Sequence, residues 1–187
     1  MPLLRPNPSK PTWKAYRMGM QEMIEIDRSP AGLPEALPER LYVLQLADIA
    51  SGGDLSKAMH TGWRFYAGTV GGPSISATVG EPRRDQRPVM TSLVHGHYVQ
   101  QAFQEVRHVE ELPQVRAADY ELRRLKIPGV VGAFWLRSPV EGGDLIVPYT
   151  SLVRGLKRMK AYPAKKFLAI LLPYALKREK ANDAPRK

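Results

Sequence analysis

The spacing of apolar positions predicts helices toward both ends of the chain and strands between them. Trp13, Tyr16, Met20, Met23 and Ile24 recur at helical intervals, with Gly19 as a weak point. Pro2, Pro6, Pro8 and Pro11 precede them and predict an extended arm over residues 1–12. Residues 28–38, with three prolines and a glycine, read as a loop. The apolar run 41–46 predicts a short buried strand, and Asp54 is placed to cap a short helix running to Met59.

The clearest β pattern follows. Trp63, Phe65 and Ala67 alternate with Arg64, Tyr66 and Gly68, and Ile75, Ala77 and Val79 alternate with Ser74, Ser76 and Thr78. With Gly71-Gly72 between them as a turn, the two runs predict a hairpin with one buried face. Residues 81–88 read as a charged, proline-bounded loop. Tyr98, Ala102, Phe103, Val106 and Val109 predict an amphipathic helix between His95 and Pro113. Strands are expected over 120–127 and 130–136, joined by a type II turn at Pro128-Gly129, and over 144–149. The run 130–136 is apolar on both parities, so that strand is expected to be covered on both faces.

The C-terminus reads as two helical pieces. Pro163 sits in the first turn of the second, which carries an apolar stripe of Phe167, Leu168, Ile170, Leu171 and Tyr174. Pro173 is expected to kink or split it. This order of elements predicts a single α+β domain with a largely antiparallel sheet, flanking helices and a basic C-terminal helix.

Composition narrows the class. The 187 residues are 43% hydrophobic and 25% charged, as in globular proteins. Cysteine is absent, which excludes disulfides, thiolate metal sites, iron–sulfur clusters and cysteine nucleophiles, and fits a cytoplasmic location. No apolar run reaches the roughly 18–20 residues of a spanning helix, and no signal-peptide pattern is expected at the N-terminus.

Charge changes the picture more. The chain carries a net +10, and eleven basic residues against two acids lie in residues 154–187. The sequence thus divides into an arm (1–12), a nearly neutral α+β body (13–153) and a basic helical segment (154–187). Such asymmetry points to an anionic or acidic partner: another protein, an anionic polymer such as nucleic acid, or the periphery of an anionic membrane. The partner-binding candidates are Lys157, Arg158, Lys160, Lys165, Lys166, Lys177 and Arg178, with Arg83, Arg84 and Arg87 from the charged loop. Arginine forks in that loop suit phosphate or carboxylate.

Catalytic signatures are sparse. His95 and His97 would share one face of a strand, and with His108 they form the one candidate metal set. Glu105 and His108 make a single Glu-x-x-His, whereas a di-iron bundle needs two. The glycines at 68, 71 and 72 fit neither a Rossmann nor a Walker A spacing. Trp63 and Phe65 fall on the apolar parity and belong to a core rather than to a base-stacking platform. No cofactor is expected. The reading is a non-enzymatic binding or assembly module that uses its basic C-terminal helix. The alternatives are a nucleic-acid-binding protein joining that segment to the 83–87 arginines, and a metal-dependent enzyme around the three histidines.

Overall fold

The computed structural model describes residues 3–27, 36–69, 72–81 and 87–182. In chain order it contains α1 (Lys10–Asp27), β1 (Ala36–Val43), α2 (Leu46–Ala50), a 3-10 turn (Leu55–Lys57), β2 (Met59–Thr69), β3 (Gly72–Gly80) and β4 (Val89–His95). There follow α3 (His97–Glu111), α4 (Pro113–Arg116), β5 (Glu121–Ile127), β6 (Val131–Arg137), β7 (Leu145–Ser151), β8 (Tyr162–Pro163) and α5 (Ala164–Asn182). The fold is α+β and its sheet pairing is largely antiparallel, as expected. No described helix is long and apolar enough to cross a membrane. Two compact units are evident: Arg5–Leu41 with His60–His108, and the first residues with Tyr42–Met59 and the chain from Val109 onward.

The first unit has strand order β4-β3-β2-β1. The expected hairpin is β2/β3, with Trp63 opposite Val79 and Phe65 opposite Ala77. These side chains are buried against α1, where Tyr16 stacks on Phe65 at 4.5 Å between ring centroids and Trp13 tilts over it at 5.0 Å. Gly19 belongs in this helix because a Cβ there would run into the side chain of Met90 on β4. The glycine that weakens the helical pattern is what lets α1 approach the sheet. Burial pushes the Tyr16 phenol from 10.0 up to about 12, and its hydroxyl finds no partner among the described residues. A raised folded-state value means stability is full below pH 10 and falls as the pH climbs toward 12, because the unfolded chain ionises first. Tyr16→Phe is therefore expected to gain about 1 kcal/mol at neutral pH and to flatten the alkaline decline. Urea titrations at several pH values check both effects.

The second unit has strand order β5-β6-β7-β8. All of Val131–Leu136 is buried, so β6 is covered on both faces as its sequence predicts. The turn before it places Gly129 at φ +69, the left-handed position that a type II turn requires. Over one face lies α5, with Phe167, Leu171 and Ala175 fully buried at four-residue intervals. They join a core with Leu44 and Ile49 from the α2 region and Leu125, Ala133, Trp135 and Ile146 from the strands.

Several boundaries differ from the sequence reading. The arm gives way to α1 at Lys10, because Ser9 caps the helix by accepting from the Thr12 N–H at 3.3 Å and Pro11 falls in the first turn, where its missing N–H costs nothing. Leu3 is buried, and Leu4 exchanges backbone bonds of 2.8 and 2.9 Å with Tyr120 and Leu122. Asp54 does act as a cap, over a 3-10 turn: its Oδ1 accepts from the Ser56 N–H at 2.8 Å. Hydrogen bonds from Ser56 also hold its carboxyl below the ordinary value. The strand β4 has no counterpart in the sequence reading. Its pairing with β3 slips between Thr78 and Val79, so Met90 and Leu93, three residues apart, both face α1. A bulge of that kind hides the period of two. The expected turn at Gly71-Gly72 falls partly outside the described residues.

At the C-terminus a single helix stands where two pieces are predicted. Residues 152–161 form turns, Pro163 pairs in β8, and α5 begins at Ala164. Pro173 neither splits nor ends it. Pro173 is exposed, so water can bond the carbonyl it leaves free, while buried Leu171 and Ala175 hold the helix on either side.

Candidate functional site

The basic residues of the C-terminal segment fall into two neighbouring groups within the second unit. Residues 154–160 form a turn carrying Arg154, Lys157, Arg158 and Lys160, all exposed. The Tyr162 hydroxyl pins this turn, accepting from the Lys157 N–H at 2.8 Å and donating to the Gly155 carbonyl at 3.1 Å. The Met159 N–H donates to the Pro148 carbonyl at 2.7 Å, with Met159 itself at φ 57. A Cβ on Gly155 would sit 3.5 Å from Ile170, so the turn lies against the middle of α5.

The second group is on α5. Its exposed side bears Lys165, Lys166, Ala169, Leu172, Pro173, Leu176, Lys177 and Lys180. Helical spacing sets these opposite Phe167, Leu171 and Ala175. This outer face has a modest apolar centre, with Leu172 37% and Leu176 43% exposed, and lysines at both ends. Arg178 bonds back to the Tyr174 hydroxyl at 3.3 Å. Among the described residues, no ion pair engages Lys157, Lys160, Lys165, Lys166, Lys177 or Arg178. These six charges therefore stand without a carboxylate partner among the described residues. The predicted apolar stripe faces the protein's own core: Phe167 and Leu171 are buried in it, and Leu168, Ile170 and Tyr174 pack against it.

The other candidates are not brought to this surface. Arg83 and Arg84 lie outside the described residues, and Arg87 is exposed in the first unit. The metal set is not assembled. His95 ends β4, His97 opens α3 against the Tyr98 ring at 3.9 Å, and His108 lies eleven residues further along α3. At 1.5 Å per residue that separation is roughly 16 Å, far beyond one coordination sphere. Among the described residues no cluster of histidine and carboxylate groups could hold a metal ion.

One basic cluster escapes the charge arithmetic. Lys10, Lys14 and Arg17 recur at helical spacing on α1, and Lys10 and Lys14 line, with Arg87, Met18 and Val89, a groove of about 660 Å³. The acids Glu22, Glu25 and Asp27 later in the same helix cancel these charges in a regional sum. Their i, i+4, i+7 spacing is the signal that could have found them.

The arginine–aromatic neighbours serve packing. On β5, Arg123 lies over Tyr42 and Trp135 at 5.0 and 4.8 Å, and Arg124 lies over Phe134 and Tyr149 at 4.7 and 5.2 Å. Trp135 donates to Asp144 at 2.7 Å. Trp63, Phe65, Phe134 and Trp135 are all buried, so none offers a face to a base.

The fold defines the protein's class, an α+β chain with largely antiparallel pairing. Comparison with models of known protein families, with curated proteins and with solved structures found no match.

Proposed function

We propose that this protein is a cytoplasmic, non-enzymatic binding module whose α5 outer face, with the 154–160 turn beside it, contacts an acidic protein partner. The observation that carries the reading is the division of labour on α5. One side supplies Phe167, Leu171 and Ala175 to the core, and the other presents unneutralised lysines around Leu172 and Leu176. Those lysines are not needed for packing, so their accumulation fits recognition. Charge complementarity would steer and orient the partner, while the exposed leucines give it a small apolar footing. Arg83 and Arg84, on which a nucleic-acid reading leans, lie outside the described residues.

The test is the quadruple variant K165E/K166E/K177E/R178E, with fluorescently labelled polyglutamate as the probe. Exposed charges contribute about 0.5–1 kcal/mol each, so reversing four is expected to weaken binding at least ~30-fold. Wild-type affinity should fall with salt, and circular dichroism should show the fold unchanged, since all four side chains are exposed. An unchanged affinity would end the proposal. Tighter binding to a single-stranded oligonucleotide than to polyglutamate would replace it with the nucleic-acid reading.

A further inference from the structure

The face of the β2/β3/β4 sheet away from α1 is polar where a covered sheet face is usually apolar. The registers set Arg64, Thr78 and Ser92 in one row across the three strands and Tyr66, Ser76 and Val94 in the next. Val99 and Ala102 of α3 close over them, leaving a cavity of about 160 Å³. That is the volume of about five waters at roughly 30 Å³ each. Tyr66 and Ser76 are almost fully buried in it, while Val94 and Tyr98 stand exposed at its rim.

Arg64 is the anomaly. Its Nε is buried and donates to no acceptor among the described residues, and no carboxylate lines the cavity. A buried N–H donor without an acceptor is costly, and native proteins seldom keep one without use. The Ser76, Thr78 and Ser92 hydroxyls on the same walls engage no other group among the described residues, so they too are free to donate. A guanidinium fork flanked by three hydroxyls, with no competing acid, is complementary to a tetrahedral oxyanion. A planar carboxylate would meet the fork alone and leave hydroxyls unused.

We propose that this cavity is a binding site for a phosphoryl group, held by Arg64 and by the hydroxyls of Ser76, Thr78 and Ser92. The group is inorganic phosphate or the head of a small phosphomonoester, whose ester substituent would leave past Tyr98 and Val94. The site lies in the first unit and is independent of the α5 proposal.

Calorimetry on the full chain at constant ionic strength tests it, with inorganic phosphate in one arm and methyl phosphate in the other. One saturable site with a Kd below ~1 mM is expected. The tighter arm identifies the source as free phosphate or ester. Arg64→Met should weaken binding about 10- to 100-fold, as loss of a charged hydrogen-bonding partner does. Arg64→Lys, which keeps the charge but not the fork, should lose part of that, and Thr78→Val a few-fold. K165E/K166E should bind as wild type, which separates the cavity from adsorption to surface lysines. Absence of saturable binding in both arms overturns the proposal, as does wild-type affinity in Arg64→Met. Should Arg64→Met fail to fold, wild-type affinity in both Arg64→Lys and Thr78→Val overturns it equally.

Discussion

A chain ended at Arg154 is expected to lose the fold of the second unit and to aggregate. Removing the C-terminal segment removes α5, and α5 is core. Phe167 and Leu171 are fully buried, and burying side chains of this size contributes about 1.5–3 kcal/mol each. Ala175, Leu168, Ile170 and Tyr174 pack into the same cluster. Their loss also uncovers Leu44, Ile49, Trp135 and Ile146 on the opposing elements. Against a net stability of about 5–15 kcal/mol, removal of a whole core layer cannot be absorbed. Light scattering should show large species, and near-ultraviolet dichroism should lose the Trp135 signal. Phe167→Ala gives a graded form of the same test: a loss of about 3–5 kcal/mol in urea unfolding. A truncated chain that stays monomeric and folded would mean that α5 is an appendage. Any binding experiment on α5 must therefore change its outer charges and keep the helix.

Phe65→Ala is expected to cost about 3–5 kcal/mol, measured by thermal or urea unfolding. Phe65 is fully buried, with the Tyr16 ring stacked at 4.5 Å and the Trp13 ring at 5.0 Å. Its removal leaves a void that neither ring can fill, because α1 is already held close to the sheet at Gly19. Phe65→Leu keeps most of the volume and should cost less than about 1.5 kcal/mol. The contrast between the two separates lost packing from a general intolerance at this strand position. An equal cost for both would show that the aromatic stack, rather than volume, holds α1 in place.

The elements legible in the sequence were those whose own period survives in the fold. The alternation at Trp63, Phe65 and Ala67 is the buried face of β2, and the unbroken apolar run in β6 is buried on both sides. The helix after His95, the turn at Pro128-Gly129 and the cap at Asp54 rest on local chemistry and are found in place. What stayed hidden depends on neighbours. The strand β4 lost its period to a bulge against β3. The continuity of α5 through Pro173 rests on anchors at Leu171 and Ala175 that no local rule contains. Lys10, Lys14 and Arg17 vanished into a regional charge sum because acids follow them in the same helix.

By itself the sequence determined the α+β class, the apolar face of the β2/β3 hairpin and the concentration of charge after Arg154, because each follows from residue type and spacing alone. The tertiary structure alone decided which side of α5 is core and which faces water. It also decided that His108 stands apart from His95 and His97, and that Arg64, Thr78 and Ser92 line one cavity. Those are facts of register and packing between segments distant in the chain, and local propensity carries no information about distance in space.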